Sequence, residues 1–102
     1  MGAPTDEALV RRAQAGDRTA FDELVRRHAG RVYAVCLRLT RNPTEAEDAL
    51  QETWISAYRA LGRFRGESQV ATWLYRIATN RSLDVVRRRT GDATLDDDEA
   101  RI

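Results

Sequence analysis

Asn42-Pro43-Thr44-Glu45-Ala46-Glu47-Asp48-Ala49-Leu50-Gln51-Glu52-Thr53-Trp54-Ile55-Ser56-Ala57-Tyr58-Arg59-Ala60-Leu61 is the stretch that decides the fold. Asn-Pro-Thr interrupts the pattern before it and starts a helix, with Glu45 and Glu47 in the first turn, where the helix dipole favours acids. Ala46, Leu50, Trp54, Ala57, Tyr58 and Leu61 recur at three-and-four spacing and predict an inner, core-facing stripe. Asp48, Gln51, Glu52, Ile55 and Arg59 recur at the same spacing on the opposite face. No strand-like alternation of apolar and polar residues accompanies this pattern anywhere in the chain.

The same period extends in both directions. Upstream, Asp17 is the expected cap of a helix whose apolar stripe is Phe21, Leu24, Val25, Val32, Val35, Cys36 and Leu39. Before it, Asp6 is the expected cap of a short helix running through Ala15 and ended by Gly16. Downstream, Gly62-Arg63-Phe64-Arg65-Gly66-Glu67-Ser68 reads as a glycine-bounded loop. A last helix follows from about Gln69 to Arg89, with Gly91 closing it. The expectation is an all-α fold, a small bundle of about four helices, with Phe21, Leu24, Val32, Leu39, Leu50, Trp54 and Tyr58 in one core. Residues 6–90 form the domain. Residues 91–102, rich in acids at Asp96-Asp97-Asp98-Glu99, read as a flexible linker or tail.

The 102 residues fit one small domain. No apolar run approaches the length of a membrane span, so no membrane insertion is expected. Residues 1–6 carry neither the basic nor the apolar region of a signal peptide. With Cys36 as the single cysteine, an internal disulfide and a multi-thiolate metal site are excluded, and a reducing cytoplasm is the expected setting. His28, the single histidine, lies on the Phe21–Leu39 stripe and reads as a part-buried or boundary residue. Cys36 reads as an inert core thiol. There is no glycine-rich phosphate loop, and neighbouring acids such as Glu47 and Asp48 point in different directions. The chain therefore reads as a non-enzyme without metal or cofactor.

Charge is distributed more tellingly than the net value of +1 suggests. All 17 basic residues are arginine, whose forked donors suit phosphate and base edges. Residues 43–58 carry four acids and no arginine, whereas residues 59–90 carry eight arginines against two acids. Acidic and basic surfaces side by side fit either two different partners or ordinary solvation. The outer face of the third helix is open to the same two readings, as a docking face or a wet one. In the loop and last helix, Phe64, Trp73, Tyr75, Arg76, Asn80 and Arg81 interleave rings, amides and guanidiniums. This composition suits unstacked bases, although Phe64 and Trp73 would serve equally as core.

Asp48-Ala49-Leu50-Gln51-Glu52-Thr53-Trp54 resembles the polymerase-docking motif of bacterial sigma factors. Tyr58-Arg59-Ala60-Leu61 followed by Phe64-Arg65-Gly66 resembles the entry to the loop of their extracytoplasmic-function (ECF) subgroup. Thr72 through Asn80 is similar to that subgroup's promoter-recognition helix, and Ala15-Gly16-Asp17, Ala20-Phe21 and Leu24-Val25 match its opening helices. The resemblance runs in order over residues 6–90 and is to the N-terminal region 2 domain.

The resemblance implies two partners. Asp48, Gln51, Glu52, Ile55 and Arg59 would dock on the clamp helices of the RNA polymerase β′ subunit. Ala60, Arg63, Phe64, Arg65, Ser68, Thr72, Trp73, Tyr75, Arg76, Ile77, Asn80, Arg87 and Arg88 would face the minus-ten promoter element. Among these, Phe64, Tyr75, Arg76, Ile77 and Asn80 would capture a flipped non-template base, with Ala60 and Arg63 alongside. Arg87 to Arg89 would touch backbone phosphate. Housekeeping relatives carry a second tryptophan where this chain has Leu74, which fits a less generous melting apparatus. A possible anti-sigma factor is a further implied partner. Complete members carry a second, helix-turn-helix domain that this sequence does not contain, so the chain is expected to be part of a longer protein. Two other readings are a sigma-like mimic that binds an anti-sigma factor without DNA, and an unrelated helical single-strand binder. The mimic is disfavoured by the retained basic face, and the binder would not need the Asp48–Glu52 face.

Overall fold

Side chains start three of the four helices. In the computed structural model, which describes residues 2–91, helix α1 spans Asp6–Gln14, α2 Arg18–Thr40, α3 Pro43–Ala60 and α4 Val70–Thr90. Asp17 accepts from the Thr19 and Ala20 amides at the head of α2, as its position predicts. Asn42 accepts from the Glu45 amide at 3.0 Å, with Pro43 in the first helical position, where its missing N–H costs nothing. The cap of α1 is Thr5, not Asp6: the Thr5 hydroxyl accepts from the Ala8 amide at 3.1 Å. Asp6 is instead the first helical residue, and its carboxylate bonds to Arg27 and His28 of α2. Gly16 (φ 103°) and Gly91 (φ 79°) take the left-handed backbone that ends α1 and α4.

Helices α2, α3 and α4 pack on one another pairwise, and α1 lies along α2. The core draws Leu9 and Val10 from α1, Phe21, Leu24, Val32 and Cys36 from α2, and Val70, Leu74, Ala78 and Val85 from α4. The contribution of α3 is small in volume: Ala46, Ala49, Thr53 and Ala57 are fully buried. The Thr53 hydroxyl is satisfied within the helix by the Ala49 carbonyl at 2.7 Å. Small residues along this line let α3 approach its neighbours closely.

This corrects the expected inner stripe of α3. Leu50 and Trp54 are only half-buried, as is Leu39 of α2, and Tyr58 is 51% exposed. The helix is rotated so that its smallest residues face inward and its rings flank the core. Trp54 and Tyr58 meet the Phe21 ring edge-on, at centroid distances of 6.3 and 5.2 Å. Phe21, Leu24 and Val32 are buried as expected. His28 is nearly buried and held by Asp6 at 2.9 Å, and Cys36 is a fully buried free thiol. The acidic stretch expected to form a linker, Asp96 to Glu99 included, lies outside the described residues.

Candidate nucleic-acid interface and docking face

On α3, the rotation that buries Ala46, Ala49, Thr53 and Ala57 turns Asp48, Gln51, Ile55 and Arg59 outward; Glu52 is half-buried at the edge of that face. Ile55 is 52% exposed. Beside it lies a groove of about 280 Å³ between α2 and α3, lined by Arg18, Phe21, Asp22, Trp54, Ile55, Tyr58 and Arg59. The Arg18 guanidinium sits 5.6 Å from the centre of the Tyr58 ring. Arg18, Asp22 and Tyr58 extend the face beyond the residues the sequence indicates. Tyr58 is missed because a large apolar ring at stripe spacing reads as core.

The basic groove lies between α3 and α4. A hollow of about 290 Å³ is lined by Ser56, Arg59, Ala60, Arg63, Ile77, Asn80 and Arg81. It shares Ser56, Arg59 and Arg81 with a neighbouring hollow of about 360 Å³ that Glu52, Ile55 and Arg88 complete. Ala60, Arg63, Ile77 and Asn80 thus line one hollow, with Arg88 further along. Ser56 and Arg81 belong with them. Their signal was available as turn-by-turn spacing: Ser56, Arg59 or Ala60, and Arg63 on one side; Ile77, Arg81 and Arg88 on the other. Arg59, assigned from sequence to docking alone, lines both surfaces.

Other expected residues are not brought into this groove. Phe64 and Arg65 line a separate hollow of about 320 Å³ against α1, with Glu7, Val10, Arg11, Gln14 and Gly66. The half-buried Phe64 ring lies 4.8 Å from that of Trp73, tilted by 45°. Both rings therefore pack against the core and each other. Thr72 and Arg76 are exposed on α4, and Tyr75 is half-buried. Ser68 donates to the Gln69 carbonyl just before α4, and the Arg65 amide donates to the Glu67 carboxylate.

The three arginines at the end of α4 all have acidic partners. Arg87 pairs with Asp84 at 2.9 Å, Arg88 reaches Glu52 of α3 at 2.6 Å, and Arg89 reaches Glu45 at 2.8 Å and the Thr40 carbonyl at 3.2 Å. Arg88 and Arg89 tie α4 to the acidic middle and start of α3, whereas Arg87 pairs with Asp84 within α4; any anion that approaches them meets these carboxylates as competitors. Elsewhere, hydrogen bonds from the Thr19 hydroxyl and Arg12 bring the Asp17 carboxyl down to about 2, and Arg26 and Arg27 lower that of Glu23. Both effects belong to helix ends and surface pairs rather than to a reactive centre. No group of three or more metal-ligating side chains occurs among the described residues.

Residues 24–91 match the sigma-70 region 2 family. The chain belongs to that family, and within it to the ECF sigma factors. It is 44% identical over 99 residues to the RNA polymerase sigma-H factor of Pseudomonas aeruginosa, covering 92% of this chain and 51% of that one. It is 40% identical to the ECF RNA polymerase sigma factor SigM of Mycobacterium tuberculosis, covering 88% of this chain and 46% of that one. The chain spans about half the length of the curated relatives it matches. Sigma factors are transcription initiation factors, not enzymes.

Among solved structures, an engineered region 2 of sigmaE in complex with GTAAAA superposes with a TM-score of 0.82 at 37% identity, covering 88% of this chain and 95% of that one. CnrH in complex with the cytosolic domain of CnrY gives a TM-score of 0.73 at 30% identity, over 80% of this chain and 53% of that one. Among the described residues the fold is all-α with four α-helices, in agreement with the expected small helical bundle and with the related fold.

Proposed function

We propose that this chain docks on core RNA polymerase through the exposed face of α3 and reads the minus-ten element of a promoter on the non-template strand. The groove between α3 and α4 is the observation that carries this reading. It places the carboxamide of Asn80 beside the apolar Ile77 and Ala60, with guanidiniums of Arg59, Arg63 and Arg81 around them. An amide can read a base edge, an apolar wall can receive a ring, and guanidiniums can neutralise phosphate. The sigmaE region 2 relative bound to GTAAAA supports a nucleic-acid role for this fold. A base drawn out of its stack would enter the Ala60–Asn80 hollow, with Arg63 of the loop as its rim. Thr72, Trp73, Tyr75, Arg76 and the loop residues Phe64, Arg65 and Ser68 would border the strand or support that rim. Arg87 and Arg88 would meet phosphate after leaving their acidic partners. The setting is the cytoplasm, where polymerase works, and no described helix is long and apolar enough to cross a membrane.

A second partner is favoured by the CnrH–CnrY complex and by the exposed Tyr58 and Ile55 beside the α2–α3 groove. An anti-sigma protein would occupy that apolar groove and compete with polymerase. The experiment is retention of core polymerase on the immobilised chain, with and without a pre-melted promoter fork. Polymerase should be retained alone, and the fork should be retained with it. Failure to retain polymerase contradicts docking. Retention of an anti-sigma protein without polymerase or DNA would favour the mimic reading.

A further inference from the structure

Gln14, the last residue of α1, lies 47 and 50 residues before the two residues its side chain bonds. Its side-chain amide donates to two carbonyls of the segment between α3 and α4: Leu61 at 3.0 Å and Phe64 at 2.9 Å. These two carbonyls bracket the turn at Gly62 and Arg63. The turn is a short 3-10 helix, Leu61–Arg63, and the Phe64 amide closes it on the Leu61 carbonyl at 3.1 Å. The Phe64 ring is held from the other side by Trp73 of α4. The loop is therefore clamped twice, by a ring contact to α4 and by a two-pronged amide from α1. Helix α1 is itself fixed to α2 through Asp6, which bonds Arg27 and His28, and through Arg12, which bonds Asp17.

We infer that Gln14 is a positioning residue for base reading. It holds the Leu61–Phe64 turn so that Arg63 forms the rim of the Asn80 hollow, and it does so from outside the basic groove. This inference rests on the proposed role of that groove. Gln14 lines the opposite hollow, with Phe64 and Arg65, so its effect on nucleic acid passes through the loop. A primary carboxamide suits the task because both its protons sit on one nitrogen, and one nitrogen here reaches two carbonyls. Leucine matches the bulk but donates nothing. Lysine, with three donors on one nitrogen, can replace both bonds.

The test combines two readouts on the whole chain. Amide hydrogen exchange of residues 62–66 is measured without DNA. Affinity is then measured, with core polymerase bound, for a pre-melted fork of preferred sequence and for forks with one minus-ten base changed. Gln14→Leu should speed exchange in the turn about tenfold, as expected for the loss of one or two hydrogen bonds. It should lower the preference for the cognate fork several-fold while leaving the salt dependence and polymerase affinity as in the wild type. Gln14→Lys should restore most of both. Unchanged exchange in Gln14→Leu overturns the clamp. Faster exchange with undiminished preference overturns the role in reading. If the wild type itself shows no base preference, the proposed function fails first and takes this role with it.

Discussion

The ion pair between Glu52 and Arg88 links the two surfaces of this domain, and it leads to a specific prediction. Glu52 belongs to the proposed docking edge of α3, and Arg88 to the basic end of α4; their side chains meet at 2.6 Å with exposures of 35% and 59%. A pair this open contributes about 0.2–1 kcal/mol. That energy is what a phosphate must overcome to recruit Arg88. Glu52→Gln removes the competitor, so single-stranded DNA should bind about 1.5- to 5-fold more tightly, the same energy expressed as a ratio. The salt slope should steepen by about 0.7, one phosphate equivalent on a single strand. Folding stability should fall by no more than the same about 0.2–1 kcal/mol. In an Arg88→Ala background the gain should vanish, which separates this pair from a general change in charge. Fluorescence anisotropy of a labelled strand at several salt concentrations, across the four proteins of the cycle, provides the assay. An equal gain with and without Arg88, or none at all, refutes the reasoning.

Three further outcomes follow from the geometry. Asp48→Ala or Gln51→Ala should weaken binding to core polymerase while moving thermal stability by less than about 0.5 kcal/mol, since both side chains are exposed; wild-type affinity in the double variant would remove the docking face. Trp54→Ala should cost about 1–3 kcal/mol in denaturant unfolding, because the ring is half-buried at the edge of the core, against Phe21. Asp17 has its folded pKa lowered from 3.8 to about 2, so its stabilisation is complete above pH 3.8 and lost as pH falls through about 2; Asp17→Asn should keep the cap yet flatten stability across that window, and an unaltered acid profile would contradict it.

Much of the fold is legible because its signals are local. Asp17, Asn42-Pro43 and Gly91 mark helix ends through chemistry confined to a few residues, and all three act as expected. The outer face of α3 is equally legible, since three-and-four spacing survives any choice of neighbour. The inner face is not, because spacing fixes a period and leaves the rotation to packing. Trp54 and Tyr58 look like the natural core by size, but α2 and α4 approach α3 along Ala46, Ala49, Thr53 and Ala57. Asp6 reads as the cap of α1, but Thr5 takes that place while Asp6 bonds Arg27 and His28 of α2, partners more than twenty residues away that no local signal reveals. The groove was legible in its members but not in its grouping. Phe64 and Asn80, joined in one pocket by the sequence reading, line different hollows. Contacts such as Gln14 with Leu61 and Arg88 with Glu52 depend on the register of whole helices, which no short window contains.

The central claim is that the hollow around Asn80 reads a base, while the arginines beyond it hold the backbone. The most direct measurement is the affinity of polymerase carrying Asn80→Ala for a pre-melted fork of preferred minus-ten sequence, set against the same fork with the read base changed. The account predicts a loss of about 1–3 kcal/mol on the preferred fork that disappears on the altered one, because there the contact is already gone. A loss of equal size on both forks, as Arg88→Ala should give, would contradict it and leave the hollow a phosphate site without sequence sense.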